Sequence, residues 1–187
     1  MKESSEARDA AAEPTPAAGP GGPFMAFKYK GHRIVYHTPN EVTAGRVRTI
    51  LTKEPDTIQW LEAMPPKSVL LDVGANVGMY SMFAAVMRQA EVYAFEPESQ
   101  NFALLNANIE ANNMSGQVLA FALALSDEAR LDRLYLQSFV PGGSCNSFGE
   151  EVGFDLKHRV AGFVQGAYSV SIDQLVEAGS MQVPDFI

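Results

Sequence analysis

Residues 68–78, Ser68-Val-Leu-Leu-Asp-Val-Gly-Ala-Asn-Val-Gly78, decide the fold of this chain. Their first part, SVLLDV, is short and apolar, which is typical of a strand buried on both faces of a sheet. The residues that follow, GMYSMFAAVMRQ at 78–89, have helical length and consist mostly of good helix formers. A glycine-containing turn between a strand and a helix predicts a ligand-binding loop, because glycines allow a close backbone approach and the helix start offers free N–H donors.

The same strand-and-helix order repeats downstream. The segment EVYAFEP at 91–97 is strand-like, and residues 98–112 place Phe102, Leu105 and Ile109 on one helical face. A third strand, QVLAFALALS, follows at 117–126. This alternation predicts an α/β fold of Rossmann-like type, with parallel central strands, right-handed crossovers and helices on both faces of the sheet.

The flanking regions differ in composition. Residues 1–23 are rich in Ala, Pro and Gly, and we expect a disordered leader there. Residues 24–67 predict a hairpin that turns at Lys30-Gly31, and then a helical lead-in that Pro55 divides. Residues 68–187 form the predicted binding domain. Its later part predicts strands at LDRLYLQ and YSVSI, a loop at 140–151, a helix capped by Ser171 and a last strand at VPDFI.

Composition narrows the classes of function. The chain has 187 residues and a net charge of −8, which argues against a nucleic-acid partner because phosphates favour clustered Lys and Arg. It has one cysteine, Cys145, which is expected to be an ordinary loop residue and fits a reducing compartment. No apolar stretch approaches the ~20 residues that span a bilayer, so we expect a cytoplasmic protein with no membrane partner. Its three histidines lack metal-ligand spacing, so no metal site is expected.

Acidic residues at the strand ends indicate which ligand the loop binds. Asp72 precedes the first glycine in the pattern D-x-G-x-N-x-G, which differs from the G-x-G-x-x-G of dinucleotide sites. A carboxylate there repels a pyrophosphate and suits a sulfonium or ammonium group, which favours S-adenosylmethionine; taken alone, Asp72 also fits a helix-capping acid. Glu96, 24 residues later, lies where it can accept hydrogen bonds from ribose hydroxyls. The third strand end, at Leu125 and Ser126, is expected beside adenine.

Three blocks of sequence, DVGANVGMYSMFAA, VYAFEPESQNFALLNANIEAN and ALALSD, closely resemble the FkbM family of methyltransferases, as do GGS at 142–144 and SIDQL at 171–175. The resemblance implies a class I methyltransferase sheet, S-adenosylmethionine as cofactor and O-methylation of a hydroxyl on a small acceptor such as a sugar or secondary metabolite. It implies cofactor contacts around the methionine part by Asp72, Gly74, Ala75, Asn76 and Gly78, around the ribose by Glu96 with Pro97, and around adenine by Leu125 and Ser126, with Tyr80 and Ser81 as further candidates.

One departure from the family concerns the end of the chain. Family members continue past D-F-I with an acidic motif, K-I-D-V-E-G, whereas this sequence ends at Ile187. We therefore expect a C-terminally truncated domain with an incomplete sheet, and we assign no catalytic residue. Two other functions stay open: a nicotinamide-dependent oxidoreductase, and a non-catalytic S-adenosylmethionine-binding or interaction module. The sequence leaves open the acceptor, the oligomeric state and whether Met1 or Met25 is the start.

Overall fold

The structure, a computed structural model, describes residues 12–19, 22–153 and 155–187. Within this part of the chain, no helix is long and apolar enough to cross a bilayer. Five helices and ten strands are described, in the order β1 (Ala12–Gly19), β2 (Gly22–Tyr29), β3 (His32–His37), α1 (Glu41–Arg48), α2 (Pro55–Ala63), β4 (Val69–Val73), α3 (Met79–Arg88), β5 (Glu91–Phe95), α4 (Ser99–Ala111), β6 (Val118–Phe121), β7 (Ala124–Leu125), β8 (Arg130–Leu136), β9 (Ser147–Phe148), β10 (Phe163–Val170) and α5 (Ile172–Glu177).

The predicted parallel sheet is present. Strands β4, β5 and β6 pair in that order, all parallel, with α3 and α4 as the crossover helices. The final segment VPDFI lies on the other side of β4, where the N–H of Leu71 donates to the carbonyl of Phe186 at 2.9 Å. Strand β4 thus has β5 on one side and the final segment of the chain on the other, so the strand order reverses at β4. Open α/β sheets bind their ligands at such a switch point.

Helices cover both faces of this sheet, as the sequence predicts. Alternate residues of the strands point to opposite sides, so that Leu70 and Val92 join the core formed with α3 and α4. Leu71, Tyr93 and Phe95 face the other way and pack with residues of α5 and with Met181. The α/β class with helices on both faces is therefore confirmed.

The N-terminal hairpin packs against the first crossover. Strands β2 and β3 pair antiparallel around Lys30-Gly31, which confirms the predicted turn. Phe27 and Ile34 belong to the same core as α3, and the Tyr36 hydroxyl, fully buried, donates to the carbonyl of Met79 at 3.0 Å. The hairpin therefore helps to hold the start of α3 in place.

The prediction of a disordered leader is wrong for the residues of the leader that the structure describes. Ala12–Gly19 forms β1, which pairs antiparallel with β2, and β2 itself begins at Gly22. Backbone hydrogen bonds to the edge of β2 hold this strand, and such bonds do not require large apolar side chains. Residues 1–11, 20 and 21 lie outside the described residues.

The third predicted strand is in fact two. Strand β6 ends at Phe121, and after two residues the chain enters β7, which belongs to a second sheet with the order β7-β10-β8-β9. There β7 pairs in parallel with the end of β10, at Ser169 and Val170. The open edge of β10 supplies hydrogen-bonding partners that the first sheet does not offer at this point, so the strand divides. The loop at 140–151 likewise contains a short strand, β9, paired with β8.

Candidate functional site

The loop between β4 and α3 is fastened to the neighbouring strand. The backbone N–H groups of Gly74 and Ala75 both donate to the carbonyl of Phe95, each at 2.9 Å. The N–H of Gly78 then donates to the carbonyl of Ala75 at 2.8 Å, which closes the turn. Because these bonds use the end of β5, the loop stands directly over the tips of β4 and β5.

Gly78 is required where α3 begins. Its φ of 78° is in the left-handed region, and a Cβ placed there would lie 2.5 Å from Cδ1 of Leu105 on α4. Gly78 has no side chain that could cap the helix, so the first N–H groups of α3 receive no hydrogen bond acceptor from their N-cap residue. A helix start of this kind favours negative groups of a ligand.

Glu96 is a fixed acceptor at the tip of β5. Its side chain is 5% exposed, and its two carboxylate oxygens accept from the N–H groups of Asn76 at 2.7 Å and Glu98 at 2.9 Å. Burial raises the pKa of Glu96, and the same two N–H donors oppose that shift. The carboxylate is thus held in one orientation by both loops that border the site.

Asp72 takes the position of a helix-capping acid, one of the two roles that its sequence context allows. Its carboxylate is half-buried and accepts from the Ser81 hydroxyl at 2.5 Å, in the first turn of α3. Burial raises the pKa of Asp72, while hydrogen bonds from the hydroxyl and the backbone of Ser81 lower it. Asp72 therefore lies below the helix start and acts as its capping acid.

A cavity of about 290 Å³ opens above the strand tips. It contains five of the eleven residues that the sequence singled out for the cofactor. Its walls are formed by Val73, Gly74, Asn76, Phe95, Glu96, Pro97, Leu123, Ala124, Leu125, Leu134, Ser144, Cys145, Asn146 and Phe148. One end is polar, around the loop and Glu96, and the other is apolar, around β7, β8 and β9.

The other six predicted residues do not line this cavity, and Ser81 among them is buried with its hydroxyl bound to Asp72. Asp72, Ala75 and Gly78 support the loop from below, with Ala75 and Gly78 buried. Ser126 lies just beyond β7, where its N–H donates to the carbonyl of Val170 and its hydroxyl to Asp127. Tyr80 lines a separate hollow beside α1. Cofactor contacts by all eleven predicted residues, those in the cavity wall included, stay predictions.

The loop at 142–148 supplies a wall that the sequence did not assign to the cofactor. The carbonyl of Gly143 accepts from the amide groups of Asn76 at 2.6 Å and Asn101 at 3.1 Å, and the N–H of Gly142 donates to Asn101 at 2.7 Å. On its other side, Arg46 donates twice to the carbonyl of Gly142, at 2.9 and 2.7 Å. The GGS motif at 142–144, cited above only for the family resemblance, could have indicated this wall, because two glycines allow such close backbone packing.

Two polar atoms in the cavity walls have no partner among the described residues. The side-chain oxygens of Asn76 and Asn146 are buried and accept no hydrogen bond. Buried polar groups are normally paired, so unpaired ones at a cavity indicate that a ligand or water completes them. Among the same described residues, no cluster of His, Cys, Asp or Glu could hold a metal ion.

Known proteins match this chain over only part of its length. The chain is 41% identical over 70 residues to 31-O-demethyl-FK506 methyltransferase FkbM of Streptomyces tacrolimicus, covering 37% of this chain and 26% of that protein. It is 28% identical over 114 residues to Methyltransferase 1 of Beauveria bassiana, covering 58% of this chain and 45% of that protein. The matched parts span less than half of either relative.

No family model matches the chain. Among solved structures, TYW2 of P. horikoshii in complex with MeSAdo aligns over 54% of this chain and 36% of that chain, with 17% identity and a TM-score of 0.39. The sequence relatives include FkbM and a second methyltransferase. They confirm the resemblance seen in the sequence, and the chain is therefore similar to methyltransferases of the FkbM type.

Proposed function

We propose that this chain is the cofactor-binding part of an S-adenosylmethionine-dependent methyltransferase that methylates a hydroxyl group of a small molecule. The observation that carries the proposal is the buried Glu96 carboxylate, oriented by the N–H of Asn76 at the carboxyl ends of parallel strands. The relative named 31-O-demethyl-FK506 methyltransferase supports transfer to oxygen.

The residues around the cavity fit the parts of this cofactor. Glu96 would accept hydrogen bonds from the ribose hydroxyls, and the apolar side chains of Leu125, Leu134 and Phe148 would surround adenine. The start of α3 would stabilise the carboxylate of the methionine part, and Asp72 would contribute negative charge beneath its cationic groups. When bound, the cofactor supplies the methyl group, and the described residues bind and orient it.

Charge supports this cofactor over a nicotinamide dinucleotide. Asp72 lies beneath the loop, and its carboxylate would repel a pyrophosphate bound there, whereas the ribose acid Glu96 suits either cofactor. Burial raises the pKa of Asp72 and, by removing the group partly from water, strengthens this repulsion whenever the carboxylate is ionised.

Thermal unfolding with added ligands tests the proposal. At about 100 times its dissociation constant a ligand adds roughly 2.7 kcal/mol of stability, which raises the midpoint of a domain of this size by on the order of 5–10 °C. We expect that shift with S-adenosylhomocysteine and none with NADH. A cooperative transition that S-adenosylhomocysteine leaves in place would contradict the cofactor assignment, and a shift with NADH would favour the oxidoreductase.

A matched pair of variants on β5 locates the binding site. Glu96→Gln keeps the size of the side chain but removes its charge, so we expect S-adenosylhomocysteine to bind at least about tenfold more weakly in a calorimetric titration. Glu91→Gln is the same change at the opposite end of the strand, far from the cavity, and should leave the affinity unchanged. Equal affinities of the two variants would place the ligand elsewhere.

A further inference from the structure

A second concave surface, here named the α1 groove, adjoins the cavity. It lies between α1 and the loop at 138–144, has a volume of about 540 Å³, and is bordered by Val42, Arg46 and Lys53 on one wall and by Val140 and Gly143 on the other. Ser144 lines both the groove and the cavity, so a single loop separates the two. A molecule in the groove would therefore lie beside whatever occupies the cavity.

One end of the α1 groove is cationic. Arg46 and Lys53 line both this groove and the smaller hollow next to it, in a chain that has 22 acidic and 14 basic residues. The two bonds from Arg46 to Gly142 fix its guanidinium, and they use Nε and Nη2. Lys53 is 59% exposed, and its amine lies 3.8 Å from Glu54. An exposed pair of this length is weak, so Lys53 keeps most of its capacity to bind an anion.

The other end of the groove is apolar. Val42 and Val140 lie on opposite walls and are 46% and 39% exposed, respectively. Exposed valines that face each other across a groove favour an apolar portion of a ligand, because its burial removes apolar surface from water. The groove therefore presents an apolar surface and, next to it, two positive charges.

We propose that the α1 groove binds the methyl acceptor, and that this acceptor carries an anionic group, a carboxylate or a phosphate, beside an apolar portion. This inference rests on the proposed function, since it treats the cavity as the cofactor site. The carboxylate of the cofactor itself is the competing source of negative charge for Arg46 and Lys53, and the experiment separates the two.

The test is a 1H–15N NMR titration of the chain saturated with S-adenosylhomocysteine, using hexanoate and hexyl phosphate as anionic probes and hexanol as the neutral one. We expect an anionic probe to shift the amide signals of Thr49, Lys53 and Gly143 and to bind more tightly than hexanol. Lys53→Gln should weaken that probe about threefold. The control Lys67→Gln makes the same change at the amino end of β4, away from the groove, and should have no effect.

Three results would overturn the inference. The first is that neither anionic probe shifts the groove signals, and the second is that hexanol binds as tightly as the anions. The third is that Lys53→Gln weakens the binding of S-adenosylhomocysteine instead of that of the probes, a result that would assign the groove to the cofactor. A further outcome is that the wild-type chain fails to bind S-adenosylhomocysteine but still binds an anion in a Lys53-dependent way. That result would refute the proposed function and the assignment of the groove to an acceptor, and it would leave only the anion site itself supported.

Discussion

The substitution Gly142→Ala tests whether the loop at 142–148 is packed as rigidly as the structure describes. Gly142 has a φ of 84°, and an added Cβ would lie 2.8 Å from Cγ2 of Thr43 and 3.2 Å from Cγ1 of Val42. Thr43 cannot turn aside freely, because its hydroxyl accepts from the N–H of Asn40 at 3.3 Å in the capping box of α1 and donates to the carbonyl of Asn40 at 2.9 Å. The methyl group must therefore displace the loop or the helix.

The expected loss has two parts. Forcing an alanine into the left-handed region costs about 1–2 kcal/mol, and crowding a packed interface costs a further 1–3 kcal/mol or so. Gly31→Ala is the matched control, since Gly31 has a φ of 79° but nothing within 4 Å of its added Cβ. It should lose about 1–2 kcal/mol, so the two variants should differ by roughly 1–3 kcal/mol.

Urea unfolding followed by circular dichroism measures both variants against the wild type. Similar m-values would show that the comparison concerns stability and not the compactness of either state. If Gly142→Ala destabilised the chain no more than Gly31→Ala, the loop would not be packed against α1. The wall that it contributes to the cavity and to the α1 groove would then have to be revised.

Three further predictions concern the supports of the site. Burial raises the pKa of Asp72, so ionisation of this group destabilises the folded state. The free energy of unfolding of Asp72→Asn should therefore rise relative to that of the wild type as pH increases above 3.8. Urea titrations at several pH values measure this difference, and an opposite trend would contradict the prediction. Arg46→Lys replaces two bonds to Gly142 by one and should cost about 0.5–1.5 kcal/mol in urea unfolding, so an unchanged midpoint would refute it. Asn101→Leu leaves the buried N–H of Gly142 unpaired and should cost about 1–3 kcal/mol, measured the same way; no loss would show that this bond is absent.

Local patterns predicted the central sheet well. The apolar run before Gly74, the helix after Gly78 and the second strand ending at Glu96 lie where the sequence placed them, because apolar periodicity and glycine position act over a few residues. The capping box that Ser171 forms with Gln174 is also confirmed, since it depends on residues three apart.

Long-range pairing explains what the sequence predicted incorrectly. The strand at 12–19 depends on the edge of β2, and the division of the third strand depends on the edge of β10, more than 40 residues away along the chain. An apolar run shows that a strand forms but carries no information about its partner, so neither outcome could be read from local composition.

The α/β class, the resemblance to FkbM-type methyltransferases and the two acids at the strand ends all follow from local sequence. The surroundings of these two acids depend on the fold, since Glu96 faces the cavity, whereas Asp72 is bound to the first turn of α3. The fold also brings Gly142 and Gly143, which are distant in sequence, to a wall of the site, where they are hydrogen-bonded to Asn76, Asn101 and Arg46. The physical reason is that hydrogen bonds between distant segments form only after the sheet has brought those segments together.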